Sequence, residues 1–165
     1  MGPRPVGEGG RVTLPVEILI RDAKPSDHAL ILHSWLKTGV DSQYARAIGT
    51  RVWYAMHERL IREVVIPRAT LRVACLPEDP DVILAWCCYE GAALHYVYCK
   101  GRWQKLGIVR ELLAQCGPFV VATHKADAST RYPYNLYPLF LGQSWQQLPE
   151  SSANTRSPTR DLVPA

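Results

Sequence analysis

The run YVYCKGRWQKLGIVRELL, residues 96–113, begins as an aromatic, β-prone segment and ends with helical spacing. Four cations, Lys100, Arg102, Lys105 and Arg110, crowd the junction together with Gly107. A helix N-terminus offers unpaired backbone N–H groups and the positive end of the helix dipole, so such a seam is equipped to seat a phosphate. The same residues would serve equally as a solvated connector, and the run alone leaves both readings open.

Other reactive side chains are scattered. The five cysteines, at 75, 87, 88, 99 and 116, form no CxxC pair, and Cys87 and Cys88 adjoin within a strand-like run that points them to opposite faces. Reduced, mostly buried thiols of a cytoplasmic protein are the expected state. A metal site would need unrelated segments to converge, so none is expected. A cysteine hydrolase would pair Cys99 or Cys116 with His95 or His124, and no local signature supports it. A nucleic-acid module would stack Trp103 on a base. Here, however, the cations sit in one turn rather than along a face, and a net charge of +4 is weak for that task.

The elements that must hold these groups follow from periodicity. The chain has 165 residues, 47% of them hydrophobic, enough for one ordinary domain. Residues 1–15 read as a flexible Gly- and Pro-rich leader, 16–148 as the folded domain, and 149–165 as a disordered tail. No run reaches the roughly 18 apolar residues of a membrane span, and no apolar signal core opens the chain. A strand is predicted over 16–23 and a helix over 25–38 with Pro25 in its first turn. A loop or broken helix covers 39–49. A second helix from Thr50 to before Pro67 is marked by Val52, Trp53, Met56, Leu60 and Val64. Strands over 70–76, 81–90 and 92–99 read as an antiparallel meander. A helix over about 105–115 and a buried strand over 119–124 follow, the last parallel to its predecessor. The expected fold class is therefore α/β (α+β), with a mixed, mostly antiparallel sheet and helices on both faces.

That order, with a basic glycine-bearing turn after the fourth strand, resembles the GCN5-related N-acetyltransferase family. The family's Gln/Arg-x-x-Gly-x-Gly/Ala signature is matched by Gln104-Lys105-Leu106-Gly107-Ile108-Val109, with Val109 where Gly or Ala is usual. ILIRDAKPSDHALI is similar to the family's opening, an Arg-bearing strand followed by a Pro-Asp helix start. The resemblance covers about residues 17–125 and is closest to small, divergent members from bacteria and their phages. It implies acetyl-CoA as acyl donor, without a metal, and an amine of a small molecule or protein as acceptor. Backbone N–H groups of residues 104–109 would hold the pyrophosphate with charge from Arg102 and Lys105, and the main chain of Val97, Tyr98 and Cys99 would pair with the pantetheine amides. It further implies a tyrosine acid after the fifth strand: Tyr137 first, Tyr134 second, with Asn135 nearby. A base at the fourth strand's start would be His95 or Glu90, with His124 a lesser candidate. A histidine near its free pKa of about 6.5 accepts a proton at neutral pH. Against these stand plainer roles, His95 packed in the sheet and the tyrosines covering its end. A homodimer is compatible with the resemblance, and so is a member that keeps the fold but has lost the chemistry.

Overall fold

The computed structural model describes residues 14–124 and 131–142. The proposed tail 149–165, all but the last two residues of the leader, and the domain's end at 148 lie outside them.

Strand β1 (Leu19–Asp22) is shorter than its apolar pattern, because Val16 and Ile18 pack on the core ahead of the ladder. The chain then turns through a 3₁₀ segment, Pro25–Asp27, into α1 (His28–Gly39). Asp27 secures this entry. Its carboxylate accepts from Arg21 Nη1 at 2.7 Å and from the Lys24 backbone N–H at 2.7 Å, while Arg21 Nη2 donates to Pro80 O at 2.8 Å. Burial pushes the Asp27 carboxyl up, but the Arg21 hydrogen bond and the Lys24 amide outweigh it and leave the group below the usual range. The Arg–Pro–Asp pattern is thus a structural tie joining β1, the helix start and a distant loop.

Residues 39–49, expected as a loop or broken helix, contain a short helix α2 (Gln43–Ile48), capped where Ser42 Oγ accepts from Ala45 N–H. Helix α3 (Thr50–Arg59) runs on into a π-helical turn, Leu60–Val65. The buried stripe differs from the predicted one. Trp53, Ile61 and Val65 are buried, whereas Val52 and Met56 are exposed by half or more. The buried residues still step by multiples of four, but the stripe lies one position on from Val52, Met56, Leu60 and Val64. Trp53 in turn lies against Gly39, where a Cβ would stand 2.4 Å from its ring.

The meander is as expected: β2 (Thr70–Cys75), β3 (Ile83–Glu90) and β4 (Ala93–Cys99) pair antiparallel, and β1 adds to β2. Helix α4 (Ile108–Cys116) crosses back to β5 (Val121–Ala122), which runs parallel to β4. The five strands lie in sequence order. α4, through Ile108, Leu112 and Leu113, covers one face over Leu84, Cys87, Leu94 and Val97. α1 and the π-turn cover the other over Val73, Trp86 and Cys88. The fold class is the one expected, a mostly antiparallel mixed sheet with helices on both faces. A last helix, α5 (Tyr137–Leu141), seats Leu139 against the α1-side core.

Two irregularities shape the sheet where function would sit. The β3–β4 ladder steps from Cys88–Tyr96 to Tyr89–Leu94, leaving His95 as a bulged residue. In addition, β4 and β5 pair only at Ala93–Val121 and Leu94–Ala122. From His95 onward β4 has no ladder partner on that side among the described residues.

Candidate functional site

At its far end β4 delivers the chain into a tight turn. Gln104 Nε2 donates to Cys99 O at 3.1 Å, folding the turn back on the strand. The Gln104 amide is already given to Gly101 O at 3.2 Å, so of the expected 104–109 run this amide is committed elsewhere. Lys105 and Gly107 both have positive φ, 63° and 86°. The amides of Lys105, Leu106 and Gly107 meet no backbone acceptor among the described residues, and those of Ile108, Val109 and Arg110 are the orphan donors of α4's first turn. Alternating handedness ahead of a helix start aims successive N–H groups into one concavity, an arrangement suited to anions.

Side chains around the turn divide by role. Ile108 is fully buried, and Leu106, Val109 and Trp103 pack on the α4-side core. The branched side chain at the position where the family signature has Gly or Ala therefore turns inward rather than over the amides. Arg102 is exposed, its guanidinium 5.3 Å from the Trp103 ring, and Lys105 is exposed as well. Trp103 is partly buried against that core. Arg110, one of the seam's four cations but assigned no role from sequence, has Nη2 3.5 Å from where a Gly107 Cβ would lie. It also opens a groove of about 350 Å³ along α4 that ends at Arg131 and Tyr132, and the Arg131 guanidinium lies over the Tyr132 ring at 5.1 Å.

The second cluster lies at the start of β4. His95 and Cys99 lie four positions apart, about 13 Å at the rise of a strand. Between them the side chain of Val97 enters the α4-side core and that of Tyr98 the opposite face, leaving main chain along the open edge. His95 is 1% exposed. Its Nδ1 lies 3.2 Å from Thr123 Oγ1, and its Nε2 lies 3.6 Å from Glu90 Oε2. Arg68 Nε lies 3.3 Å from the same Glu90 oxygen, and its Nη2 donates to Leu139 O at 2.8 Å, tying α5 to this corner. Burial pushes the His95 ring down, with Glu90 working the other way. His95 is thus an enclosed ring beside Glu90, and Glu90, at 11% side-chain exposure, is the member of the pair nearer solvent.

The remaining expected residues fall around this corner. The backbone of Tyr134 bridges Ala122 on the outer side of β5, and Asn135 N–H donates to Ala122 O at 2.9 Å. Tyr134 is half exposed. Tyr137 opens α5, and its side chain lies outside what is described. His124 stacks on Tyr96 at 4.5 Å. Burial drives its pKa down to about 4, against a hydrogen bond with the His95 backbone that raises it. A ring so hard to protonate is a poor base at neutral pH.

This shift has a measurable consequence. The folded pKa of His124 lies below the unfolded value of about 6.5, so the unfolded chain binds the proton more readily. Stability is therefore full above pH 6.5 and falls as the pH drops toward 4, by up to about 3 kcal/mol. Urea titrations between pH 7.5 and 4.5 should show the loss, and His124→Asn should flatten it. An unchanged slope in the variant would assign the loss to other groups.

The thiols do not meet the histidines. Cys99 and Cys116 belong to the α4-side cluster, whereas His124 stacks on Tyr96 of the other face. Cys99 Sγ faces Lys100 O, and Cys116 Sγ faces Cys87. Among the described residues no group of three His, Cys, Asp or Glu could hold a metal ion, and no helix is long and apolar enough to cross a membrane.

No family profile and no curated protein matches the chain. Among solved structures, it is similar to a possible acetyltransferase from Clostridium difficile 630, at 17% identity and a TM-score of 0.41 over 60% of this chain and 68% of that one. It is also similar to the apo-form of YjaB from Escherichia coli, at 18% identity and a TM-score of 0.43 over 61% of this chain and 67% of that one.

Proposed function

We propose that the chain is an acyl-CoA-dependent N-acetyltransferase of the GCN5-related kind, moving an acetyl group to an amine of a small molecule or protein. One observation carries this reading. The unpaired edge of β4 runs from the bulge at His95 directly into the turn of orphan amides at Lys105–Arg110. An anion seat and a strand edge without a ladder partner around Val97 are what a ligand with a diphosphate head and an amide-bearing arm requires. The residues present fit that ligand: Gly107 takes the positive φ the turn needs, Arg110 and Lys105 add charge, and Val109 faces inward.

Acetyl-CoA would supply the activated acyl carbonyl as a thioester. The chain's own residues must seat the diphosphate, hold the arm along β4, take a proton from the attacking amine and return one to the departing sulfur. Glu90, oriented by His95 and Arg68, is assigned the base; Tyr137 is assigned the acid, with Tyr134 second. A second reading, an acyl-CoA binder without chemistry, is favoured by the ion pair that already engages Glu90.

Thermal denaturation with and without acetyl-CoA tests the proposal. At about 100 times its Kd a ligand adds about 2.7 kcal/mol, a rise of roughly 5–10 °C for a domain of this size. No shift at millimolar acetyl-CoA would sink both readings. A shift without acetyl transfer to any of a panel of amines would leave the second.

A further inference from the structure

We propose that Cys87 and Cys116 form a dithiol site that peroxides oxidise reversibly to an intramolecular disulfide. The inference is independent of acyl transfer. Cys87 lies at the centre of β3, fully buried, and Cys116 is the last residue of α4, half-buried at the rim. Their sulfurs stand 3.7 Å apart with the Cys87 thiol donating. Packing of α4 on the sheet alone brings them together, since they lie 29 positions apart along the chain.

The two thiols are chemically unequal, as such a site requires. The Cys87 hydrogen bond leads in pulling Cys116 down to about 7, helped by Arg72 on β2 and the Tyr89 hydroxyl on β3. Burial and Asp22 on β1, the ion-pair partner of Arg72, oppose it. Cys87 is pushed up, by its bond to Cys116 and by burial. Burial also raises Cys75, Cys88 and Cys99. Cys116 alone therefore carries substantial thiolate near neutral pH, and the thiolate is the nucleophile.

The chemistry balances with a peroxide as oxidant. The Cys116 thiolate attacks one peroxide oxygen; an S–O bond forms, the O–O bond breaks and hydroxide or alkoxide leaves, giving a sulfenic acid. Cys87 sulfur then attacks Cys116 sulfur; the S–S bond forms, the S–O bond breaks, and the Cys87 proton leaves with the hydroxide as water. Two thiols are oxidised and one peroxide is reduced. The product ties β3 covalently to the end of the helix that opens with the amide turn.

The test uses the full chain, reduced, desalted, exposed to hydrogen peroxide, then denatured and alkylated. Five thiols accept iodoacetamide before oxidation. After it, two are consumed and three adducts remain, on a chain lighter by two hydrogen atoms, and dithiothreitol restores all five. Cys88→Ser must still form the bridge, whereas Cys87→Ser must not and should trap dimedone at Cys116. In the untreated protein, alkylation of Cys116 should accelerate as pH rises through about 7. Five adducts after peroxide, a bridge that persists in Cys87→Ser, or a cross-link between chains would overturn the proposal. The wild-type and Cys88→Ser results decide it even if Cys87→Ser fails to fold.

Discussion

Gly107→Val is expected to lower acetyl-CoA affinity roughly a hundredfold, the largest binding effect of any single change in the turn. Gly107 has φ 86°, a conformation that a β-branched residue adopts only with strain of about 1–2 kcal/mol. Its Cβ would also stand 3.1 Å from Leu14 Cδ2 and 3.5 Å from Arg110 Nη2. The turn must therefore shift, and the amides of Lys105–Ile108 shift with it. Hydrogen bonds to a charged group contribute about 1.5–3 kcal/mol each, so misaligning one or two accounts for the loss. Gly49→Val is the control. Its φ is 88° and a Cβ there meets nothing within 4 Å, so it carries similar backbone strain away from the turn. Calorimetry should find acetyl-CoA affinity reduced in the first variant and kept in the second. Equal affinities would remove the turn from the binding site.

Glu90→Gln is expected to slow acetyl transfer by 10²–10⁴-fold, the range of general acid–base assistance, while leaving acetyl-CoA affinity unchanged. The amide keeps the shape and can still accept from Arg68, but it takes no proton from an amine. Tyr137→Phe is expected to give a loss of similar size by removing the donor to the departing sulfur. If Tyr134→Phe slows transfer instead, the acid lies beside β5 rather than at the start of α5. A demonstrated transfer that neither Glu90→Gln nor Tyr137→Phe slows would refute the assignment of both groups. His95→Gln separates positioning from direct chemistry. The ring is enclosed, so its loss should reduce turnover through Glu90 and leave KM for the amine nearly constant.

Much of the frame was legible locally. Short β-prone apolar runs in 70–99, divided by PEDPD and Gly91, marked three strands because those residues turn the chain, and Pro25 and Asp27 marked a helix start because their chemistry suits it. The Gln104–Val109 turn was readable for the same reason: a glycine and cations beside a helix start say locally what a phosphate needs. Tertiary structure decided the rest. The buried face of the helix from Thr50 lies one position from the predicted one, with Trp53 seated on Gly39 of a different helix. The bulge at His95 and the short β4–β5 pairing opened the strand edge, and neither leaves a mark in spacing because both depend on what the neighbouring strand does. Arg68 and Glu90, 22 positions apart, meet only once the π-turn, β3 and α5 have packed at one corner. Cys87 and Cys116 became a pair only because α4 lies across β3. Residue type and spacing thus determined which local structures form and where an anion could sit. The geometry that sets Glu90 between Arg68 and His95 and distinguishes one thiol from four others came from contacts between distant segments, which no local period encodes.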